Sequence, residues 1–244
     1  MINAPDHGNN VDNEPEGCGL SLNFNAPVAL VGGGFVGDPA FELSKTHAKI
    51  FVGVDGGGDE ILRRGADPVA VIGDLDSFSA AGRAAIPSEN LIHVAEQDST
   101  DFEKALSRLS APLILAIGFT GARLDHELAA MHALVRFPQQ PVVLIGAEDV
   151  VLHLPAQMTL DLPEGTRVSL FPMDGVTVGL QGLEWSFEAL DLHPARKIGT
   201  SNRASGGAVH LRADRPGCLL LLPLDTLEAV IAALAAADFH SPPA

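Results

Sequence analysis

Asp74 and Asp76 flank Leu75 in the segment Gly73-Asp74-Leu75-Asp76-Ser77, directly after the apolar run Val69–Ile72. If extended backbone continues through the segment, residues two apart point the same way, and both carboxylates share one side. Two like charges that close are unfavourable unless a cation sits between them. A hard divalent cation held through carboxylate oxygens is the chemistry this pattern suggests. Alone it reads equally well as a solvated loop in which Asp and Ser cap the next helix.

Other clusters follow other apolar runs. Gly32-Gly33-Gly34 follows Val28–Val31, and Asp55-Gly56-Gly57-Gly58 follows Ile50–Val54. Glycines there let backbone approach a phosphate, and a following helix start favours an anion. Neither cluster has the spacing of a dinucleotide fingerprint or a Walker loop, and tight turns would use the same glycines. After Leu91–Val94 comes Gln97-Asp98-Ser99-Thr100-Asp101-Phe102-Glu103-Lys104. Asp101 falls in the first turn of a helix, where a carboxylate is favourable on dipole grounds alone, with Lys104 three residues on along the same face. The functional alternative makes Asp101 a metal or base carboxylate and Lys104 a phosphate contact. After Leu113–Ile117, Gly121-Ala122-Arg123-Leu124-Asp125-His126 puts a guanidinium just before a helix, where it can grip phosphate oxygens. Asp125 and His126 either cap that helix or orient Arg123 and a nucleotide. The conjunction describes a Mg²⁺–nucleotide site, with carboxylates on the cation and Lys and Arg offsetting phosphate charge.

These residues need a scaffold that gathers strand ends. From about residue 27 to 147, apolar runs at 28–31, 50–54, 69–72, 91–94, 113–117 and 142–145 alternate with helical patterns at 40–48, 58–64, 80–85, 101–109 and 125–137. Runs without polar alternation suit strands covered on both faces, and the alternation predicts a mostly parallel sheet in a three-layer α/β domain. Thr100 with Glu103 forms a capping box ahead of the apolar face Phe102, Ala105, Leu106 and Leu109. Past about Val150, short alternating segments separated by turns predict an antiparallel β-sandwich with one last helix near 225–237. The expected division is an extension over 1–26, an α/β domain over 27–148 and a sandwich over 149–244.

Bulk properties narrow the partners. With 31 acidic against 15 basic residues, the formal net charge is −16, which argues against nucleic acid and anionic membrane. No apolar run approaches the length of about 18 residues that a membrane span needs. Cys18 and Cys218 lack metal-ligand spacing, and the polar start of the chain does not resemble a signal peptide. The expectation is an intracellular, cytoplasmic protein with reduced thiols.

The ordered set Asp55-Gly56-Gly57, Gly73–Ser77, Asp98–Leu106, Gly121–His126 and Gly199-Thr200-Ser201-Asn202 resembles thiamine pyrophosphokinase, over roughly residues 28 to 222. The resemblance implies an α/β domain, a C-terminal sandwich and a homodimer that transfers the pyrophosphoryl group of ATP to thiamine with Mg²⁺, releasing AMP. It implies metal and catalytic roles for Asp74, Asp76 and Asp101. ATP contacts fall on Gly33, Gly34, Asp55, Gly56, Gly57, Lys104, Gly121, Arg123, Asp125 and His126. Thiamine contacts fall on Gln97, Thr200, Ser201 and Asn202, the last three reaching across the subunit interface. This chain departs from the family pattern at Gly58-Asp59, at Ala122 and around Ala129-Ala130. Trp185, the single Trp, is either a stacking partner for thiamine or sandwich core. A metal-dependent phosphohydrolase and a non-catalytic thiamine or nucleotide sensor are the alternative functions.

Overall fold

A computed structural model describes residues 21–96 and 98–240. Cys18, Gln97 and most of the expected N-terminal extension lie outside the described residues. Six parallel strands form the main sheet of the α/β half: β1 Val28–Val31, β2 Ile50–Val54, β3 Pro68–Gly73, β4 Leu91–His93, β5 Ile114–Ile117 and β6 Val142–Ile145, beside a short parallel pair of Leu22–Asn23 with Leu109–Ser110. They stand in the order β6-β5-β1-β2-β3-β4. Helices α1 Asp38–His47, α2 Gly57–Arg63, α3 Ala80–Ala85, α4 Asp101–Leu106 and α5 Leu124–Arg136 connect them. β1, β5 and β6 are buried at every residue, as unbroken apolar runs between two helical layers require.

The second half supplies β7 Asp149–His153, β8 Gln157–Leu162, β9 Arg167–Pro172, β10 Val176–Gln181, β11 Phe187–Leu192, β12 Gly199–Arg203, β13 Gly207–Ala213 and β14 Cys218–Pro223. Helix α6, Leu227–Leu234, follows, shorter than the sequence pattern suggests because a 3-10 turn takes Leu224–Thr226. β8, β13, β10 and β11 make a four-stranded antiparallel sheet. The other four do not make a separate sheet. β7 pairs antiparallel with β6, and one ten-stranded sheet runs β12-β9-β14-β7-β6-β5-β1-β2-β3-β4. The expected boundary at 148–149 therefore falls in a tight turn across which main-chain pairing is continuous. The four-stranded sheet packs on this long sheet, and Leu160, Leu162, Val178 and Leu211 share a core with Leu170 and Leu220.

The capping box forms: the Thr100 hydroxyl accepts from Glu103 N at 3.3 Å, and Glu103 Oε2 accepts from Thr100 N at 3.1 Å. Such a cap is worth about 1 kcal/mol. Glu103 also meets Arg136 of α5 at 3.3 Å, which fixes α4 against α5. Among the described residues, no helix is long and apolar enough to cross a membrane.

Candidate active site

β3 ends at Gly73, so extended backbone does not continue through Asp74–Asp76. Leu75 takes φ +63, a left-handed conformation that costs a leucine energy and is maintained by its burial against Phe78 and Ile86. The turn separates the two aspartates. Asp74 faces inward half-buried and its Oδ1 accepts from Asp76 N at 3.0 Å, while Asp76 is exposed. The extended-strand pairing of Asp74 with Asp76 gives way to another partnership.

Asp74 instead meets Asp55 and Asp101. Carboxylate oxygens of these three, each half-buried, lie within 4.8 Å of one another. Asp55 follows β2 with φ +47. Its carboxylate accepts from the Ser77 hydroxyl and, at 3.3 Å, from Ser77 N. Ser77 Oγ in turn accepts from Gly56 N at 3.1 Å. Gly73, at φ +148, gives the cluster room: a Cβ there would come 3.2 Å from Asp55 Cβ and 3.4 Å from Asp101 Oδ1. Asp101 is paired from behind by Lys104, whose Nζ lies 3.0 Å from Oδ1 and is only 3% exposed. Three all-oxygen donors from three different loops suit a hard divalent cation such as Mg²⁺.

These residues open into a cavity of about 500 Å³ at the carboxyl ends of β1, β2, β3 and β5, which also holds Gly33, Gly34, Gly56, Arg123 and His126. Ser77 of the opening motif joins it, and so do Ser99, Phe119 and Glu127, to which no role was given in the sequence. Arg123 is gripped by Asp125, with Nε–Oδ1 3.1 Å and Nη2–Oδ2 2.6 Å. The guanidinium hydrogen bond holds the Asp125 carboxyl below the usual carboxylate range, and Arg123 is raised in turn. Asp125 itself is exposed and does not line the cavity.

Other residues singled out in the sequence sit elsewhere. Gly57 is buried where a side chain would run into the Val31 carbonyl, so it serves the packing of α2 on β1 and does not reach the cavity. Gly121 lines a neighbouring cavity. Thr200, Ser201 and Asn202 lie on β12, at one edge of the ten-stranded sheet. Seven strand spacings separate β12 from β2, roughly 30–35 Å at about 4.8 Å each. Ser201 is exposed and left-handed, φ +65, and its N–H donates to Ser169 Oγ at 3.0 Å. Asn202 turns inward and clasps the Trp185 main chain, donating to its carbonyl at 2.8 Å and accepting from its N–H at 3.2 Å. Trp185 is 51% exposed, so it is not sandwich core. The three non-glycine residues with positive φ among those described, Asp55, Leu75 and Ser201, all fall in the motifs noted in the sequence.

A sequence profile described as the catalytic domain of thiamin pyrophosphokinase matches residues 41–145, a span that contains all three clustered aspartates. Thiamin pyrophosphokinase 1 of Caenorhabditis elegans is 28% identical over 188 residues, covering 68% of this chain and 76% of that protein. The Bacillus subtilis thiamine pyrophosphokinase is 34% identical over 93 residues, 36% of this chain and 44% of the relative. The thiamin pyrophosphokinase structure from Geobacillus thermodenitrificans superposes with TM-score 0.67 at 25% identity, over 81% of this chain and 96% of that one. These matches together indicate the thiamine pyrophosphokinase family. The Candida albicans thiamin pyrophosphokinase, at 14% identity and TM-score 0.67 over 83% of this chain and 93% of that one, shares its fold. The structural likeness extends beyond the α/β half into the sandwich.

Proposed function

We propose that this chain is an ATP-dependent diphosphotransferase that makes thiamine diphosphate and AMP from thiamine and ATP, working at the cavity of Asp55, Asp74 and Asp101. The supporting observation is the convergence of three carboxylates at the sheet's carboxyl ends, inside the span matched by the family's catalytic-domain profile. The thiamine hydroxyl forms a bond to the β-phosphorus of ATP, the bond from that phosphorus to the AMP oxygen breaks, and the hydroxyl proton leaves. Such transfers depend chiefly on positioning and charge stabilisation.

Asp55, Asp74 and Asp101 are the residues we assign to Mg²⁺, which when bound would offset charge on the phosphate oxygens. The Ser77 and Lys104 contacts orient two of the three carboxylates beforehand. Arg123, held by Asp125 at the mouth, is aimed to bind phosphate. Gly33, Gly34 and Gly56 leave main chain open to the polyphosphate. The hydroxyl proton has carboxylate acceptors within the same cluster.

We further propose a homodimer. Seven strand spacings along the sheet separate β12 from β2, which supports a reading in which a thiamine contacted by Thr200 and Ser201 meets the carboxylates of a second copy. Trp185, Phe187 and Ile198 leave apolar surface near that edge for a partner to cover. We place the protein in the cytoplasm, where ATP is at hand and a buried free thiol such as Cys218 stays reduced.

Incubation with ATP, Mg²⁺ and thiamine tests the activity. Thiamine diphosphate and AMP should form in equal amounts. Phosphate release that does not depend on thiamine would overturn the assignment in favour of a hydrolase.

A further inference from the structure

The loop that carries Asp74 is gripped from α3. Arg83 of that helix donates Nε–H to the Phe78 carbonyl at 3.1 Å and Nη2–H to the Leu75 carbonyl. Both carbonyls belong to one turn, closed by Phe78 N donating to Leu75 O at 3.2 Å. Leu75 is the residue with φ +63, and Asp74 directly precedes it. One planar guanidinium therefore spans the turn that aims Asp74 at Asp55 and Asp101. Its Nε and Nη2 donors lie along one edge at fixed separation, a fork that a single ammonium does not reproduce.

α3 is itself anchored. Ser79 caps it, with Oγ accepting from Gly82 N at 2.9 Å. Asp59 of α2 takes both donors of Ser79, Oδ2 accepting from N at 2.8 Å and Oδ1 from Oγ at 2.6 Å. Phe78 packs between the two helices so closely that a Cβ on Gly82 would come 2.3 Å from its ring, and one on Gly58 2.8 Å. Gly58 and Asp59, a departure from the family pattern in the sequence, both serve this contact. A continuous set of contacts thus runs from α2 through Ser79 and α3 to Arg83, and back to the main chain beside Asp74.

The choice of partners is informative. Arg63, Arg64, Arg123 and Arg167 each meet a carboxylate. Arg83 directs its donors to two carbonyls instead, in a chain with 31 acidic residues to offer. Burial of Leu75 sets which way the turn faces, but it holds only a side chain. The main chain is held by Asp55 at Ser77 and, independently, by Arg83 at Leu75 and Phe78. Arg83 does not line the carboxylate cavity.

We infer that Arg83 is a positioning residue for the metal site, fixing the Asp74 carboxylate in the cluster through the Leu75 and Phe78 carbonyls without touching metal or substrate. The inference rests on the function proposed above and extends it to a residue outside the cavity. The sign of the effect identifies the role. A positive charge acting only through its field opposes a bound cation, so its removal would tighten metal binding. Removal of a group that holds a ligand in place weakens it.

Mn²⁺ binding to the full chain without nucleotide, followed by electron paramagnetic resonance, is the test. Asp74→Asn should weaken it and so locate the signal at the carboxylates. Arg83→Met keeps the stem and loses the donors, and should weaken Mn²⁺ about tenfold. Arg83→Lys keeps the charge and loses the fork, and should weaken it nearly as much. Arg63→Met, which removes a surface charge of α2, should change it by no more than about twofold. In turnover, Arg83→Met should raise half-saturating Mg²⁺ about tenfold, with kcat at saturating Mg²⁺ within about twofold. The Asp76 and Phe78 amides of that variant should exchange hydrogen about tenfold faster, with those of β1 and β5 unchanged. Mn²⁺ binding in Arg83→Met as tight as in the unmodified chain or tighter, or full rescue by Lys, overturns the inference, and so does loss of protection in β1 and β5. An unmodified chain that binds no Mn²⁺, or an Asp74→Asn chain that binds it normally, overturns the metal assignment and the inference with it. If Asp74→Asn weakens Mn²⁺ and the Arg83 variants do not, the positioning role alone falls and the proposed function stands.

Discussion

The ends of β2 and β3 and the edge strand β12 each hold a non-glycine residue in left-handed backbone, yet their surroundings differ sharply. Around Asp55, four loops converge, the carboxylates are half-buried, and each strained turn is tied by hydrogen bonds to a neighbouring loop. Around Ser201, Thr200 and the Ser201 side chain face solvent, and only Asn202 turns inward to secure the Trp185 loop. The first region is a finished cavity. On the proposed function the second is one wall whose opposite a second copy supplies. Left-handed backbone outside glycine marks both, and such backbone persists only where its surroundings fix it.

The largest expected effect separates the carboxylates from one another. Asp74→Asn should lower turnover by roughly 10²–10³-fold with melting temperature little changed, whereas exposed Asp76→Asn should lose well under tenfold. Steady-state kinetics on the two purified variants decide it, and equal losses would restore Asp76 to the cluster. The second effect joins the two regions. If the finished cavity of one copy needs the wall of another, Asp74→Asn and Ser201→Trp chains, each inactive alone, should recover about a quarter of normal activity when refolded together. Half of the dimers are then mixed, and each mixed dimer has one intact site. No recovery, with dimers present by sedimentation, would confine the site to a single chain.

A third measurement asks whether the two regions unfold as one. His153, on β7 within the long sheet, is buried with Nε2 accepting from Gly217 N at 3.1 Å, and burial together with neighbouring His240 lowers its pKa to about 4. The unfolded chain takes up this proton near the ordinary value of 6.5, the native chain only near 4. Between those values the unfolded state binds more protons, so stability falls as pH drops from 6.5 towards 4 and is unaffected by this group above 6.5. The full span is worth about 3 kcal/mol. Urea titrations across that window should show a single transition shifting downward, and His153→Phe should flatten the slope; two transitions would show that the sheet is not one cooperative unit. The smallest effect is local to the finished cavity. Thr100→Ala removes the cap of the helix that begins with Asp101 and should cost about 1 kcal/mol by thermal melting.

Much of the α/β half was legible because unbroken apolar runs such as Val28–Val31 leave little choice but covered strands. The capping box at Thr100 and Glu103 was legible for the same local reason. Partners chosen by tertiary packing were not. Asp74 and Asp76 look equivalent in sequence, and only the burial of Leu75 against Phe78 and Ile86 turns one in and the other out. A lone leucine inside an acidic loop, with Phe78 three residues on, was the available signal. Asp55 reads as the start of a glycine turn until Ser77 is seen to hold it. In the second half, alternation foretold strands but not which sheet each joins, so the continuity from β6 into β7 was hidden. β12, Gly199-Thr200-Ser201-Asn202-Arg203, has no apolar alternation to read because an edge facing solvent does not require it.

The ten-stranded sheet is also a ruler. Its graduations are the strand spacings of about 4.8 Å, and on the proposed function its two working marks are β12 near one end and β2–β3 near the other. Loops can lengthen, and surface helices can exchange residues, without moving those marks. Gain or loss of a single strand between them would shift one mark by a whole graduation. The spacing between the two marks is thus set by the count of strands and not by the surface that covers them.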